Sequence, residues 1–306
     1  MTAHVAFDID KILKDVEKFS PINAVENLGL RLKRRDRGYS NGAVIGVLLI
    51  ATMLARSIES TVEFLSALNA REKMSADNVF RLIKSMTLQT IESLVNGMLR
   101  RMARPNFWRR RGVTIALDLT DELYWGEKTR YVKATKPRNG TSKAFKFLVG
   151  SIVSRYGKFI VYVKLITEDS DLVSEVKKAL LHIEKVVKIG LILMDRGFAS
   201  VKMIKTLLAL EYRFIMPLRM TRGLKKVAEK IGKSAVFRLK MVSKKYGSVT
   251  FWVVARIDDK KKPVFYAVLD KNMVRKPSDI HYAYSGRRWR IEINNKMVKL
   301  YKAKTS

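Results

Sequence analysis

The 306-residue sequence predicts an α/β protein, a mixed sheet with flanking helices that carries a β-rich insertion and follows an N-terminal helical region. Three observations carry this expectation. Apolar residues recur at helical spacing through the first hundred positions, runs rich in β-branched residues begin after Gly112, and strand and helix patterns then alternate. A hydrophobic content of 47% is ample for a buried core in a chain of this length.

Taken in order, helical periodicity covers Asp10 to Lys18, Asn41 to Ala55, Ser60 to Ala70, Ala76 to Met86 and Gln89 to Met102, with Ser60, Ser75 and Thr87 as expected N-caps. Residues 1–111 are therefore expected to form a helical region. Strands are expected at Val113 to Leu117, Phe145 to Val153, Phe159 to Ile166, Leu191 to Met194 and Arg213 to Leu218. Between the third and fourth strands, Leu172, Val176, Leu180, Ile183 and Val187 define an amphipathic helix, and Ser200 to Leu210 reads as another. Residues 219–280 carry 17 basic and 5 acidic residues and a hairpin from Ser248 to Leu269. They are expected to be a basic β-rich insertion within a core spanning 112–306. A last helix is expected from about Ser285 to Lys302.

Charge narrows the choice of partner. Lys and Arg number 61 against 28 Asp and Glu, a formal net charge of +33. Residues 1–100 hold 14 basic and 11 acidic residues, so nearly all of the excess lies beyond them, and a polyanion is the expected partner of that part. The absence of cysteine excludes disulfides, thiolate metal sites and cysteine nucleophiles. With only His4, His182 and His281 available, a metal site must rest on carboxylates, which favour hard ions such as Mg2+ or Mn2+. The longest apolar run, Gly42 to Ala55, is too short to span a bilayer, and the N-terminus lacks the order of a signal peptide. A cytoplasmic protein without a membrane partner is expected.

Three acids stand out by position. Asp118 follows the run Val113 to Leu117, and Asp195 follows Leu191 to Met194 and precedes Arg196-Gly197-Phe198, so both are expected at the exits of buried strands. Glu292 lies in the last predicted helix, where about 100° per residue puts Arg288, Glu292 and Lys299 on one face. Each acid alone also fits a plain structural role, as a turn residue, a cap or one member of an i,i+4 ion pair. Basic clusters that include Arg287-Arg288 and Lys244-Lys245 are candidate phosphate contacts, and Trp125, Tyr131 and Trp252 are aromatic side chains suited to base stacking.

In this order, a strand-end Asp, an Asp-Arg-Gly-Phe element, a basic β insertion and an Arg-Trp-x-Ile-Glu helix with a downstream Lys, the chain resembles DDE transposases of the insertion-sequence-four type. The resemblance implies an RNase H-like core. It also implies a metal-binding catalytic triad of Asp118, Asp195 and Glu292, two Mg2+ or Mn2+ ions, and Arg288 and Lys299 as phosphate ligands. The partners implied are element terminal repeats and target DNA, with a homodimer serving two ends in a prokaryotic, nucleoid-associated setting. The N-terminal helical region would then suit DNA-end binding. Two departures accompany the resemblance. The family signature Y-x2-R-x3-E-x6-K places a tyrosine where this chain has Ser285, with Tyr284 one residue further away, and only 14 residues follow Glu292. The alternatives are a truncated or inactive copy that only binds DNA, and another RNase H-like nuclease.

Overall fold

The computed structural model describes residues 44, 47, 48, 51, 57–67, 75–103, 112–154, 157–231, 233–257, 263–274 and 276–286. The chain divides into two compact units, the first reaching Met102 and the second beginning at Ala103. The helices expected at Asp10 to Lys18, most of Asn41 to Ala55 and all but the first two residues of Ser285 to Lys302 lie outside the described residues.

In the first unit, α1 (Ile58–Ala67), α2 (Ala76–Ser85) and α3 (Leu88–Met102) follow one another. Val44, Val47, Ile58 and Val79 are buried together, with Val62, Leu65, Phe80 and Ile83 packed against them. Ser75 caps α2 by accepting from the Asn78 N–H at 3.3 Å, and Thr87 caps α3 through the Thr90 N–H at 3.2 Å. The cap of α1 differs from expectation: Ser57, rather than Ser60, fills that role, accepting from the Ser60 N–H at 3.2 Å. Both serines suit an N-cap, and periodicity alone could not choose between them.

In the second unit, nine strands among the described residues form one sheet. They are β1 (Val113–Leu123), β2 (Val132–Arg138), β3 (Thr141–Ser154), β4 (Gly157–Ile166), β5 (Ile189–Met194), β6 (Phe214–Pro217), β7 (Ser234–Ser243), β8 (Gly247–Ile257) and β9 (Pro263–Val268). The order is β2-β3-β1-β5-β6-β9-β8-β7, and β4 pairs with β3. β5 is parallel to β1 and to β6, and the other pairs are antiparallel. The helices are α4 (Leu172–Glu184), α5 (Val201–Ala209), α6 (Arg222–Lys230) and α7 (residues 277–286). This is the mixed α/β class with flanking helices that the sequence predicts.

Alternation along the strands separates two apolar layers. Ile115, Leu117, Leu148, Ile152 and Ile192 pack with Val176, Leu180 and Ile183 of α4 and with Ile204 and Leu207 of α5. On the other face, Ala116, Leu193, Ile215, Val254 and Tyr266 pack with Ile280 and Tyr284 of α7. Full burial of each large apolar side chain contributes about 1.5–3 kcal/mol before entropy is counted. Asp171 caps α4 by accepting from the Ser174 N–H at 3.1 Å and ties it to α5 through a 2.7 Å ion pair with Lys202. That hydrogen bond from Lys202 holds the Asp171 carboxyl below its usual range.

Three expectations need correcting. β1 does not end at Asp118 but continues to Leu123, because Leu119 to Leu123 pair with Leu148 to Ala144 of β3. The polar run Thr120-Asp121-Glu122 reads as a loop in isolation, and the partner strand overrides it. β2 escaped the periodicity reading for a similar reason, since its Lys, Thr, Pro and Arg residues suit an edge strand with one wet face. The last helix starts at residue 277 rather than about 285, with Pro277 at the first helical position, where the missing N–H costs nothing.

Residues 219–280 supply α6, β7, β8, β9 and the start of α7. β9 pairs with β6, so these strands continue the central sheet instead of forming a layer of their own.

A glycine contact governs how β1 meets β5. A Cβ built on Gly190 would lie 2.9 Å from the Gly112 carbonyl carbon, and one on Gly112 would lie 2.9 Å from the Gly190 Cα. At this crossing the ladder steps from Val113 opposite Ile189 to Thr114 opposite Leu191, a bulge that absorbs one residue of β5. Gly190→Ala should force these backbones apart and lower stability by about 1–3 kcal/mol in a urea melt. Asp171→Ala, which removes a cap and an exposed ion pair, should cost about 1 kcal/mol in the same measurement.

Candidate active site

The parallel ladder between β1 and β5 runs through Leu117 opposite Met194. The ladder ends there, with Asp118 the next residue of β1 and Asp195 the first residue past β5. Adjacent strands lie about 4.8 Å apart, and paired positions direct their side chains to the same face. The alternation places this pair on the face carrying Ala116, Leu193 and α7, at the rim where β5 ends. Without the bulge at Gly190, Asp118 would align with Met194, and Asp195 would fall beside Leu119 on the opposite face.

The two acids have different surroundings. Asp118 is a buried polar residue, 9% exposed, held between β3 and β5. Asp195 caps the short turn Arg196–Phe198 and accepts from the Arg196 N–H at 2.6 Å, which orients its carboxylate. Thr120, two residues past Asp118 and therefore on the same face, buries its Oγ1 with no hydrogen-bond partner among the described residues. Carboxylate and hydroxyl oxygens are the donors that suit a hard divalent cation. Among the described residues, no three His, Asp or Glu side chains gather into a metal-sized group.

A cleft of about 510 Å³ opens beside Asp195, lined by Arg196, Pro217, Met220, Tyr266, Tyr284 and Ser285 among others. Its wall is an aromatic cluster. The Tyr266 hydroxyl meets His281 Nδ1 at 2.9 Å, and the Tyr266 and Tyr284 rings pack at 5.4 Å between centroids. These contacts clamp α7 to β9. Tyr284 is buried, whereas Ser285 is exposed at the cleft mouth and donates to the His281 carbonyl at 2.8 Å.

Of the expected site residues, Asp118 and Asp195 each stand one position past the last β1–β5 pair, Leu117 opposite Met194. Glu292, Arg287, Arg288 and Lys299 lie outside the described residues. Lys244 and Lys245 sit at the turn between β7 and β8, away from the two acids. That turn rests on α5, where Lys205 donates to the Tyr246 carbonyl at 2.7 Å and Lys202 lies over the Tyr246 ring. α5 covers the sheet face opposite the carboxylates. Tyr266 and the glycine pair were not singled out from the sequence. A glycine at each of two strand entries was the available signal for a close backbone approach.

The sequence matches the transposase DDE domain family over residues 126–304, a span that begins past Asp118 and includes Glu292. No curated protein matches the chain. The fold is similar to that of the piggyBac transposase in a cryo-EM structure of its synaptic complex with hairpin DNA, with a TM-score of 0.53 and 15% identity. That similarity covers 94% of this chain but 66% of the other, so the chain spans just under two thirds of its structural neighbour.

Tyr284 and Ser285 differ in burial. Tyr284→Ala should cost about 3–5 kcal/mol in denaturant melts, whereas Ser285→Tyr, at an exposed position, should change stability by less than about 0.5 kcal/mol.

Proposed function

The chain belongs to the transposase DDE domain family, and from this we propose that it is a transposase of the insertion-sequence-four type, which binds element ends and cleaves and joins DNA strands. One observation supports the assignment of the site: the bulged β1–β5 register ends at Leu117 opposite Met194, with Asp118 and Asp195 each the next residue in the chain. Glu292, from the Arg-Trp-x-Ile-Glu segment, is the third acid of the triad.

The donor chemistry of Asp118 and Asp195 fits Mg2+ or Mn2+, and these two residues with Glu292 would hold two such ions. The chemistry the ions supply when bound is stabilisation of charge on the attacking and leaving oxygens of a phosphodiester. The residues of the chain itself do the positioning. Burial of Asp118 between β3 and β5 fixes one carboxylate, and the Arg196 N–H fixes the other. The Tyr266–His281 contact holds the start of the helical segment that leads toward Glu292 in sequence. Arg288 and Lys299 are the phosphate ligands at the site, Arg as a bidentate fork and Lys as a point charge.

The basic excess supports DNA as the partner, because backbone contacts neutralise phosphates in proportion to their number. Lys244 and Lys245, carried on the other face of the sheet, act in this reading as remote backbone contacts. Two element ends call for two copies of the chain, so a homodimer is part of the proposal.

Cleavage of DNA bearing the flanking terminal repeats tests the site. With Mg2+ the protein should nick at the repeat end, and Asp118→Asn and Asp195→Asn should each reduce the rate at least about a thousandfold, while DNA affinity stays within about threefold. Salt-sensitive binding without Mg2+- or Mn2+-dependent cleavage would replace this reading with a protein that only binds DNA.

A further inference from the structure

Past the end of β5, β1 loses its parallel neighbour and continues along β3, which is flanked first by β4 and then, toward the tip, by β2, so that the tip is a three-stranded ribbon of β1, β3 and β2. From Asp118 to Leu123 it extends about 17 Å beyond the acids, at about 3.3 Å per residue. At its tip stands Trp125, 60% exposed. An indole this exposed is usually free to move, yet four hydrogen bonds staple its loop to the β2–β3 turn and the start of β3. The Trp125 indole N–H donates to the Asn139 carbonyl at 3.0 Å, and the Thr141 hydroxyl donates to the Tyr124 carbonyl at 2.6 Å. The Tyr124 N–H donates to the Lys143 carbonyl at 2.9 Å, and the Lys143 ammonium donates to the Gly126 carbonyl. The turn itself is a two-residue Asn139-Gly140 hairpin, with φ of +47° and +79°.

The surroundings of this fixed ring are cationic. Residues 124–143 contain six Lys and Arg against one acid, Glu127, and Lys136 and Arg138 are exposed beside the turn that holds the indole. A rigid aromatic face among solvated cations is preorganised for a flat, anion-bearing ligand, and stacking on it needs a base that is not paired within a duplex.

We propose that the tip of the β1–β2–β3 ribbon is a nucleobase-stacking site, in which Trp125 receives an unpaired base of a DNA strand leaving the acidic rim and Lys136 and Arg138 contact the phosphates beside it. The proposal rests on the reading of the chain as a DNA-processing transposase and adds to it a place for single-stranded DNA outside the cleft.

Metal-free binding by the full chain tests this, with two probes: a blunt duplex, and the same duplex carrying a single-stranded tail of about six nucleotides, enough to cover the ribbon at about 3.4 Å per nucleotide. The wild-type protein should bind the tailed probe more tightly. Trp125→Ala should weaken that binding roughly tenfold, Trp125→Phe should retain most of it, and neither should alter the blunt duplex. Lys136→Ala and Arg138→Ala should each lower the salt slope on the tailed probe by about one. Equal tailed-probe affinity in wild type and Trp125→Ala would overturn the stacking site alone, as would an equal loss on both probes, which would mark Trp125 as structural. Failure of the wild-type protein to bind either probe at low salt would overturn the transposase reading together with it.

Discussion

The contact between Gly112 and Gly190 is the constraint on which the candidate site depends. Two backbones approach more closely there than any side chain allows, and the residue of β5 absorbed at that crossing shifts the ladder by one. Side chains alternate with a period of two, so this shift decides whether two carboxylates share a face or are separated by the sheet. A local steric matter at the entry of two strands thus sets the register that reaches Asp118, five residues further along β1. The apolar residues between, Ile115 and Leu117 toward α4 and α5 and Ala116 toward α7, carry the register along the strand.

The two faces of the sheet have separate tasks. One is sealed by α4 and α5, joined through Asp171 and Lys202, and the β7–β8 turn folds over α5 on that side. The other face is only partly covered, with α7 held by Tyr266, His281 and Tyr284 beside an open cleft. A ligand site needs such incomplete packing, because a carboxylate that meets a ligand cannot be covered by its own helix. The ribbon beyond the rim extends the same arrangement, with polar strands that would be unstable alone anchored by the long β3.

Much of the architecture was legible in the amino-acid pattern. The amphipathic stripe from Leu172 to Ile183 and the apolar run Leu191 to Met194 resolve as α4 and the end of β5. Apolar side chains report their burial through period, and period survives in a single sequence. Polar strands do not report themselves in this way. Thr120 to Leu123 and all of β2 depend on β3 for hydrogen bonds, and that pairing is non-local. α7 begins at Pro277, ahead of the helix expected from about Ser285, and proline fits that first helical position because its missing N–H costs nothing there.

The sequence by itself determined the α/β class, the helical character of the described part of the first hundred residues, the basic excess and the match to the transposase DDE domain family. Tertiary structure decided the register of the strand positions just before Asp118 and Asp195, since that register depends on a bulge that no periodicity encodes. It likewise decided that Lys244 and Lys245 lie across the sheet from the acids and that Trp125 is held rigid in solvent. The physical reason is common to all three. Composition and period describe what a residue prefers, whereas register and strand order describe which residue stands beside it, and those are properties of pairs separated by many positions in the chain.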